Sequence, residues 1–558
     1  MEAEKSAAPA ERLDQFEEVE DDASSIRSAA RGDDLPEGYF YSIEVLGAVA
    51  GFCLSTVSAF IFLLFPTNVL TYINADIGPS PYIAWVNIAR TLALSFTYTI
   101  LGRLSDLFGR RWFFIGGNVV ALVGIIVCSA AQNVNSLIIG SAIYGLGETV
   151  QLSFNVAVAR AMLQNLNMGW RWCYYLNIIV VALAIVLLFF FYHPPTFDLL
   201  HERKTKLQML KQLDYVGIFL WTAGLTLLLL GVSLGGTIYP WNSATIISSI
   251  VIGVALLIAL FTYEAFAKLE YPAIPVQFFA NRGFISLVAC ATVATMSYYS
   301  AVLLWPQQVK ALYTMDITYG GWVSCTVASA TALGQAFGGF FVKWGGNVRN
   351  WIIFSTFSMV AFVGACASLT PDTLNAGIAF TMIGPFFVGV IEVCALALAP
   401  LFCRPVDIGL ASGLLASIRS AGGSIAVSVY SSILSNRLAT TVPANVGPAA
   451  VAAGLSEDNV PALVASILKS KLGSFPGLTP EIQAAVTSAL PTAYSQAFKT
   501  VYLASLGFGA IAIVGCLFSK DAQKHLTDKV QRKMNGKRIE LKWLYRHGFQ
   551  IGFVLCLV

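Results

Sequence analysis

Charged residues are scarce in this chain of 558 residues: only 12% are Asp, Glu, Lys or Arg, whereas 56% are hydrophobic. A soluble globular protein carries about 25% charged residues, so this composition excludes the soluble class. The mean hydropathy of +0.70 agrees with that exclusion. The chain is therefore predicted to be an all-α protein that crosses a membrane many times.

Enzyme signatures are scarce as well. The four histidines all lie outside the hydrophobic runs, at His193, His201, His525 and His547. They cannot form an intramembrane cluster for a di-iron or haem site, so no metal and no cofactor is expected. The chain has no Gly-X-X-X-X-Gly-Lys-Ser/Thr phosphate loop, which excludes an ATP-driven pump. An integral-membrane enzyme is therefore the weaker class.

Charge of one sign collects at each end of the chain. Residues 1–43 hold twelve acidic and four basic residues, and residues 520–547 hold nine basic and three acidic ones. The first segment is predicted to be a disordered acidic cytoplasmic tail. The segment 519–558 is predicted to be a basic cytoplasmic tail. Neither segment indicates nucleic acid, and no cleavable signal peptide is expected before the first hydrophobic run.

Thirteen hydrophobic runs have the length of a membrane-spanning helix, which needs about 20 residues. Their sparse charge and frequent glycine are typical of helices in membranes. The runs lie at 44–66, 82–101, 112–131, 135–159, 173–192, 214–236, 243–265, 283–305, 319–341, 351–369, 376–399, 408–434 and 498–518.

Basic loops predict the orientation of these spans, because Lys and Arg collect on the cytoplasmic side. The loops Gly102–Arg111, 201–211 and 343–349 are basic, whereas 370–375 has no Lys or Arg and should face outside. The alternation fails once, where Ala161–Trp172 joins a span that ends inside to one that starts outside. About a dozen residues cannot cross ~30 Å of hydrocarbon. We infer a fourteen-span plan whose fifth span is missing from this sequence.

The spans form two groups separated by a linking region. Residues 44–192 are predicted to form an N-terminal bundle that is one helix short. Residues 193–282 form a cytoplasmic loop and two linking helices. Residues 283–518 form a C-terminal bundle with a long external loop at 435–497. Gly338–Arg349 repeats the first basic loop in weaker form, which predicts two pseudo-symmetric bundles.

Several motifs carry a family resemblance. The chain reads Gly-Arg-Leu-Ser-Asp-Leu-Phe-Gly-Arg-Arg at Gly102–Arg111 and Gly-Trp-Arg-Trp at Gly169–Trp172. It also reads Asp-Leu-Pro-Glu-Gly-Tyr-Phe at Asp34–Phe40 and Phe-Tyr-His-Pro-Pro-Thr-Phe at Phe191–Phe197. Together they resemble the fourteen-helix drug:proton antiporters of the major facilitator superfamily. More narrowly, the chain resembles the fungal trichothecene efflux pump family, which also includes siderophore-iron transporters.

The resemblance implies two helix bundles that rock around a central site, plus two linking helices. Two departures stand out. The Gly-Pro-X-X-Gly motif of the family's fifth helix is missing together with that helix. The family's Arg-X-X-X-Gly pattern in the fourth helix is replaced by Ser141–Gly145, which has no Arg.

The basic loop supplies the first set of candidate residues, a conformational latch. In this interpretation Asp106 pairs with Arg110 in one state and releases it in the other. The alternative is a solvated turn whose charges only fix the topology. The latch set consists of Gly102, Arg103, Asp106, Gly109, Arg110 and Arg111.

Four charged residues inside the spans form the second set, because each costs roughly 2.5–3.5 kcal/mol to insert. Arg90, Glu148, Glu392 and Arg419 are therefore candidates for proton coupling or substrate binding. In one interpretation Glu148 or Glu392 carries the coupling proton, and an Arg adjusts its proton affinity or binds an anionic group. In the other, the charges pair between helices and only hold the bundles together.

The resemblance implies a secondary transporter, not an enzyme, that exports small hydrophobic toxins or drugs and uses the proton gradient as its energy source. Proton-coupled uptake of a ferric siderophore is the nearest alternative. A sensor that no longer transports, or an inactive truncated product, is an alternative of another class. The expected surroundings are the lipid bilayer of the plasma membrane, or of the vacuole, with the protein as a monomer.

Overall fold

The computed structural model describes residues 31–32, 42–148, 170–194, 211–468, 479–519 and 530–532, apart from 79, 81, 84, 109, 237, 238, 268–271, 315, 345 and 404–406. The described chain is helical, apart from one short strand pairing. Strand β1 (Arg31–Gly32) pairs antiparallel with β2 (Val530–Arg532). This pairing places Arg31 and Gly32 beside the strand Val530–Arg532 near the other end of the chain.

Five helices of the N-terminal bundle lie in the described part of the chain. They are α1 (Ile43–Asp76), α2 (Trp85–Phe108), α3 (Arg111–Ser129), α4 (Val134–Gly147) and α5 (Arg171–Phe191). Helix α1 packs on α5, and α4 packs on both α2 and α3. A Cβ atom at Gly124 would overlap the backbone of Tyr144, so this glycine lets α3 and α4 approach closely.

Two linking helices follow as an antiparallel pair, α6 (Tyr215–Leu234) and α7 (Ala244–Phe266). Asp214 caps α6, because its Oδ1 accepts a hydrogen bond from the Gly217 backbone N–H at 2.7 Å. Helix α6 contacts α2 of the first bundle and also the second bundle.

The C-terminal bundle contains the remaining helices, among which α11 packs on α13 and α14 packs on α9 and α16. A π-helical turn at Val309–Tyr313 extends α9. The helices are α8 (Val276–Ala280), α9 (Arg282–Gln308), α10 (Ile317–Ser324), α11 (Thr326–Trp344), α12 (Val348–Ala365), α13 (Leu374–Leu398), α14 (Ile408–Ala452), α15 (Val460–Leu468) and α16 (Pro480–Leu517).

The prediction of an all-helical membrane protein is confirmed. In the described part of the chain, ten helices are long and apolar enough to cross a membrane. Each predicted span falls on a helix, and the described part of the one at 135–159 is helical up to Gly147. Its remainder and the place of the missing fifth span fall within 149–169, outside the described residues.

Two segments predicted as loops are largely helical. Helix α14 continues to Ala452, so most of 435–497 is helical, because the apolar side chains of its helices pack together in a small core. Likewise α2 continues to Phe108, so Gly102–Arg111 is mostly helix. Leu104 and Phe108, four residues apart on one helix face, pack there on Leu213.

The crossing of α11 and α13 gives a prediction about folding. A Cβ atom at Gly389 would overlap the carbonyl oxygen of Thr331 and lie 2.7 Å from the backbone nitrogen of Gln335. Backbone atoms cannot move aside, so Gly389→Ala should force the helices apart and lower stability by about 1–3 kcal/mol. At Gly339 of the same helix pair, an added Cβ meets nothing within 4 Å. Gly339→Ala should therefore keep the parent's thermal unfolding midpoint, and equal midpoints for both variants would contradict the prediction.

Candidate functional site

The first ion pair lies inside the N-terminal bundle. Arg90 of α2 donates through Nη2 to Oε1 of Glu148, the residue that follows α4. Both side chains are about 1% exposed. Gly145, one turn earlier, lets α4 approach α2, because a Cβ atom there would overlap the Arg90 carbonyl oxygen. The structure thus brings together two residues that were predicted separately, 58 positions apart.

A polar and aromatic layer surrounds this pair. The Tyr144 hydroxyl lies 3.2 Å from the Ser58 hydroxyl of α1, and the Phe62 ring stacks on the Tyr144 ring with centroids 3.7 Å apart. Among the described residues, Nε and Nη1 of Arg90 and Oε2 of Glu148 have no hydrogen-bond partner. Buried polar atoms without partners are costly, so this pair carries spare bonding capacity at the bundle centre.

The second ion pair lies inside the C-terminal bundle. Arg419 of α14 lies with Nη1 3.3 Å from Oε1 of Glu392 on α13. Thr295 of α9 donates to the same oxygen at 3.1 Å, and Gln335 of α11 donates to Oε2 at 3.0 Å. Four helices therefore meet at the Glu392 carboxylate. The Arg419 side chain is 12% exposed, unlike either partner of the first pair.

The two arginines lie on the two helices that join the bundles. Helix α2 packs along α14, a contact here called the seam. Ser417 donates to the Ser95 carbonyl oxygen, and a Cβ atom at Gly413 would overlap the carbonyl oxygen of Tyr98. The seam is therefore tight, with small residues at its points of contact.

Two tyrosines lie between the ion pairs. Tyr98 of α2 is within electrostatic range of Glu148 and Arg419. Tyr299 of α9 is within that range of both ion pairs. A Cβ atom at Gly423 would overlap the Tyr299 ring, so this glycine of α14 makes room for the ring. The two ion pairs thus share Tyr98 and Tyr299 as neighbours along the seam.

The seam is closed at one end by a salt bridge. Nη1 of Arg103 on α2 donates to Oδ1 of Asp407 at 2.6 Å, and Asp407 directly precedes α14. The side chains are 6% and 18% exposed. Gly102 supports the same contact, because a Cβ atom there would lie 2.5 Å from the carbonyl oxygen of Gly409. The basic loops predict that this end faces the cytoplasm.

The other latch residues have different placements. Asp106 lies in the last turn of α2, but its side chain is outside the described residues, as is all of Gly109. Arg110 precedes α3, and Arg111 donates to the Phe189 carbonyl oxygen of α5 at 2.8 Å. The pairing of Asp106 with Arg110 therefore stays a prediction. Of the latch residues, Arg103 is the one whose described side chain forms a salt bridge to the other bundle.

Three partners of the candidate residues were not predicted from the sequence, namely Asp407, Thr295 and Gln335. Asp407 follows Arg-Pro-Val and directly precedes a glycine-rich span on the predicted cytoplasmic side. An acidic residue in that position is a signal that could have been noticed, because it faces a helix N-terminus. Nothing in the sequence marks Thr295 or Gln335 as partners of Glu392, since polar residues on membrane helices are frequent.

Comparison with known proteins identifies the family. The fungal trichothecene efflux pump (TRI12) family matches residues 6–165 and again residues 149–544. The chain belongs to this family. The resemblance drawn from the sequence motifs is thereby confirmed, and the chain is a multi-span membrane transporter of the major facilitator type.

Relatives across the family are transporters. The chain is 27% identical to trichothecene efflux pump TRI12 of Fusarium sporotrichioides over 95% of each protein. It is 29% identical to the MFS-type transporter prx5 of Penicillium rubens, over 82% of this chain and 88% of that protein. It is 25% identical to multidrug resistance protein 3 of Bacillus subtilis, over 70% and 79% respectively.

Two solved transporter structures match this chain weakly, each with a TM-score below 0.5. An inward-facing bacterial homologue of the human lysosomal transporter Spinster is 14% identical, with a TM-score of 0.45 over 88% of this chain and 99% of that one. The human organic anion transporter MFSD10 is 11% identical, with a TM-score of 0.46 over 85% and 100%. The family assignment rests on the sequence matches.

The comparisons also bear on the prediction that a fifth span is missing. The Fusarium alignment has 567 positions but covers 95% of this chain, and 95% of 558 residues is about 530. About 37 positions therefore face gaps in this chain, more than the roughly 20 residues that one span needs. The two family matches overlap at 149–165, next to the predicted gap.

Sequencing the transcript tests this gap directly. Across Arg160–Gly169 we expect about forty additional codons, enough for one span with its connections. They should include a Gly-Pro-X-X-Gly helix. A transcript that encodes the present chain without interruption would contradict the fourteen-span inference.

One stretch has the spacing of a hydrolase motif. Gly231–Gly235 reads Gly-Val-Ser-Leu-Gly, but Ser233 lies inside helix α6 and accepts a hydrogen bond from the Ser428 hydroxyl at 3.1 Å. A nucleophile elbow instead needs a sharp turn between a strand and a helix. This serine therefore gives no support to an enzyme.

Proposed function

We propose that this chain exports a small hydrophobic compound of the trichothecene type in exchange for protons. The observation that carries the proposal is the two buried ion pairs, each joining a seam helix to a carboxylate in its own bundle. Charged groups inside membrane proteins are costly and commonly mark proton pathways. Two relatives named as trichothecene efflux pumps support the substrate class.

Glu392 is the proposed carrier of the coupling proton. Its partner Arg419 is 12% exposed, whereas both members of the Arg90–Glu148 pair are about 1% exposed. The second pair is thus the less completely buried of the two, which favours it as the site of proton uptake. Protonation of Glu392 removes the charge that holds Arg419, and Arg419 lies on a seam helix. Proton binding can thus change how α14 packs against α2.

Protonation of Glu392 can affect transport because the seam controls which membrane side the site opens to. Alternating access requires that the bundles separate first at one membrane side and then at the other. The Arg103–Asp407 salt bridge and the close approach at Gly102 hold the predicted cytoplasmic end closed. Release of these contacts opens the site toward the cytoplasm, where substrate enters. Export to the outside fits a monomer in the plasma membrane.

A non-transporting product is the second candidate, because the family match is broken next to the missing fifth span. Expression of the chain in a yeast host without its own drug pumps separates the candidates. We expect lower intracellular accumulation of a labelled trichothecene than in cells with empty vector. Equal accumulation would favour the inactive product or sensor. Cellular uptake of a labelled ferric siderophore would favour the uptake alternative.

A further inference from the structure

The linking helices contribute two acidic residues next to the Arg103–Asp407 salt bridge. Asp214 caps α6, and its Oδ2 accepts a hydrogen bond from the Ala273 backbone N–H at 3.3 Å. Glu264 lies near the end of α7, and its Oε1 accepts from the Ile274 backbone N–H at 2.7 Å. The two carboxylates thus hold consecutive amides of the segment that leads into the C-terminal bundle.

This acidic pair lies close to the closed end of the seam. Leu213, beside Asp214, packs on Leu104, which follows Arg103 in the chain. Glu264 is within electrostatic range of both Arg103 and Asp214. Arg103 therefore has acidic neighbours in two parts of the protein, Asp407 of the C-terminal bundle and Glu264 of linking helix α7.

Glu264 has bonding capacity that its present contacts do not use. Among the described residues, its Oε2 atom is buried and has no hydrogen-bond partner. Opening of the seam at this end takes Asp407 away from Arg103, whose side chain is 6% exposed in the closed state. A buried cation that loses one of its counter-charges is destabilised, and a second acid nearby can offset that loss.

We propose that Glu264 is the alternate partner of Arg103, which accepts the guanidinium group when the seam opens toward the cytoplasm. The inference rests on the alternating-access mechanism of the proposed function. Glu264 is a positioning residue in this role, because it acts on Arg103 at the end of the seam and not on the substrate. Asp407 stabilises the closed state, and Glu264 stabilises the open one. The linking helices then take part in opening and closing the predicted cytoplasmic end of the seam.

The proposal predicts opposite shifts for two similar substitutions. Asp407→Asn removes the partner of the closed state and should raise the open population. Glu264→Gln keeps an oxygen for the Ile274 amide, removes the charge, and should lower the open population. Each shift should be on the order of fivefold, as for couplings between sites in proteins. In an Arg103→Gln background, Glu264→Gln should have no further effect.

The populations can be measured without any transport. Spin labels at Trp112→Cys and Asn350→Cys, in a cysteine-free form of the full chain in nanodiscs, report the distance between the predicted cytoplasmic ends of the bundles. Glu44→Gln, near the start of α1, is the matched control and should leave the distance distribution unchanged. Glu264→Asp keeps the charge on a shorter side chain and should give an intermediate shift. This variant replaces Glu264→Gln in the measurement if Glu264→Gln folds poorly.

Two results would overturn the proposal. One is a shift of Glu264→Gln in the same direction as Asp407→Asn. The other is an undiminished effect of Glu264→Gln in the Arg103→Gln background, which would mean that Glu264 acts only through the segment at Ala273 and Ile274. Because the distances are recorded without substrate or gradient, they separate a failure of this proposal from a failure of proton-coupled export.

Discussion

Replacing Glu392 by Gln should abolish the dependence of efflux on the proton gradient. Gln keeps the size of the side chain, and its amide oxygen can still accept from Thr295, but it cannot bind and release a proton. We expect gradient-driven efflux to fall at least about tenfold, which corresponds to a change of about 1.4 kcal/mol. Exchange of substrate across the membrane without a gradient should continue, because the seam can still open and close.

A matched substitution controls for the general effect of removing a carboxylate. Glu481 lies exposed in the first turn of α16, so Glu481→Gln should transport like the parent. Efflux is measured as a function of the imposed pH difference for the parent and both variants. An unchanged response to pH in Glu392→Gln would remove this residue as the proton carrier.

Replacing Glu148 by Gln should destabilise the folded protein. The substitution leaves Arg90 buried without its counter-charge, and loss of one partner from a buried ion pair costs about 3–5 kcal/mol. The expected result is a clearly lower thermal unfolding midpoint together with weak transport. Arg90→Met should destabilise less, because it leaves a carboxyl group that can become neutral by binding a proton.

The double variant Arg90→Met/Glu148→Met separates stability from function. Replacing a buried ion pair by apolar residues of similar size is often neutral or stabilising. We therefore expect the unfolding midpoint to return to that of the parent, while transport stays impaired because the seam helix has lost its charged contact. A double variant that transports normally would show that this pair is only structural.

The sequence was sufficient to predict the helical membrane fold, because span length and sparse charge follow directly from the thickness and low polarity of lipid. It also predicted all four intramembrane charges as candidates, since each is costly alone. It did not predict how they pair. Arg103 and Asp407 lie 304 positions apart, and the Arg90–Glu148 contact depends on how closely Gly145 lets two helices approach.

The mistaken loop boundaries have a common physical reason. Hydropathy marks where lipid ends but not where a helix ends. Helix α14 has 45 residues, about 68 Å at 1.5 Å per residue, and this is roughly twice the hydrocarbon thickness. Its outer part is held by packing with α15 and α16 and not by lipid. The count of spans was informative in another way. The alternation of inside and outside loops fails at Ala161–Trp172, and this position lies next to 149–165, where the two family matches overlap.

Transport by the purified full chain in sealed vesicles tests the central claim most directly. A pH gradient is imposed across the membrane, and movement of a labelled trichothecene is followed with and without a protonophore. Proton-coupled export predicts accumulation against the concentration gradient that collapses when the protonophore is added. Binding without movement, or movement that the protonophore does not change, would contradict it.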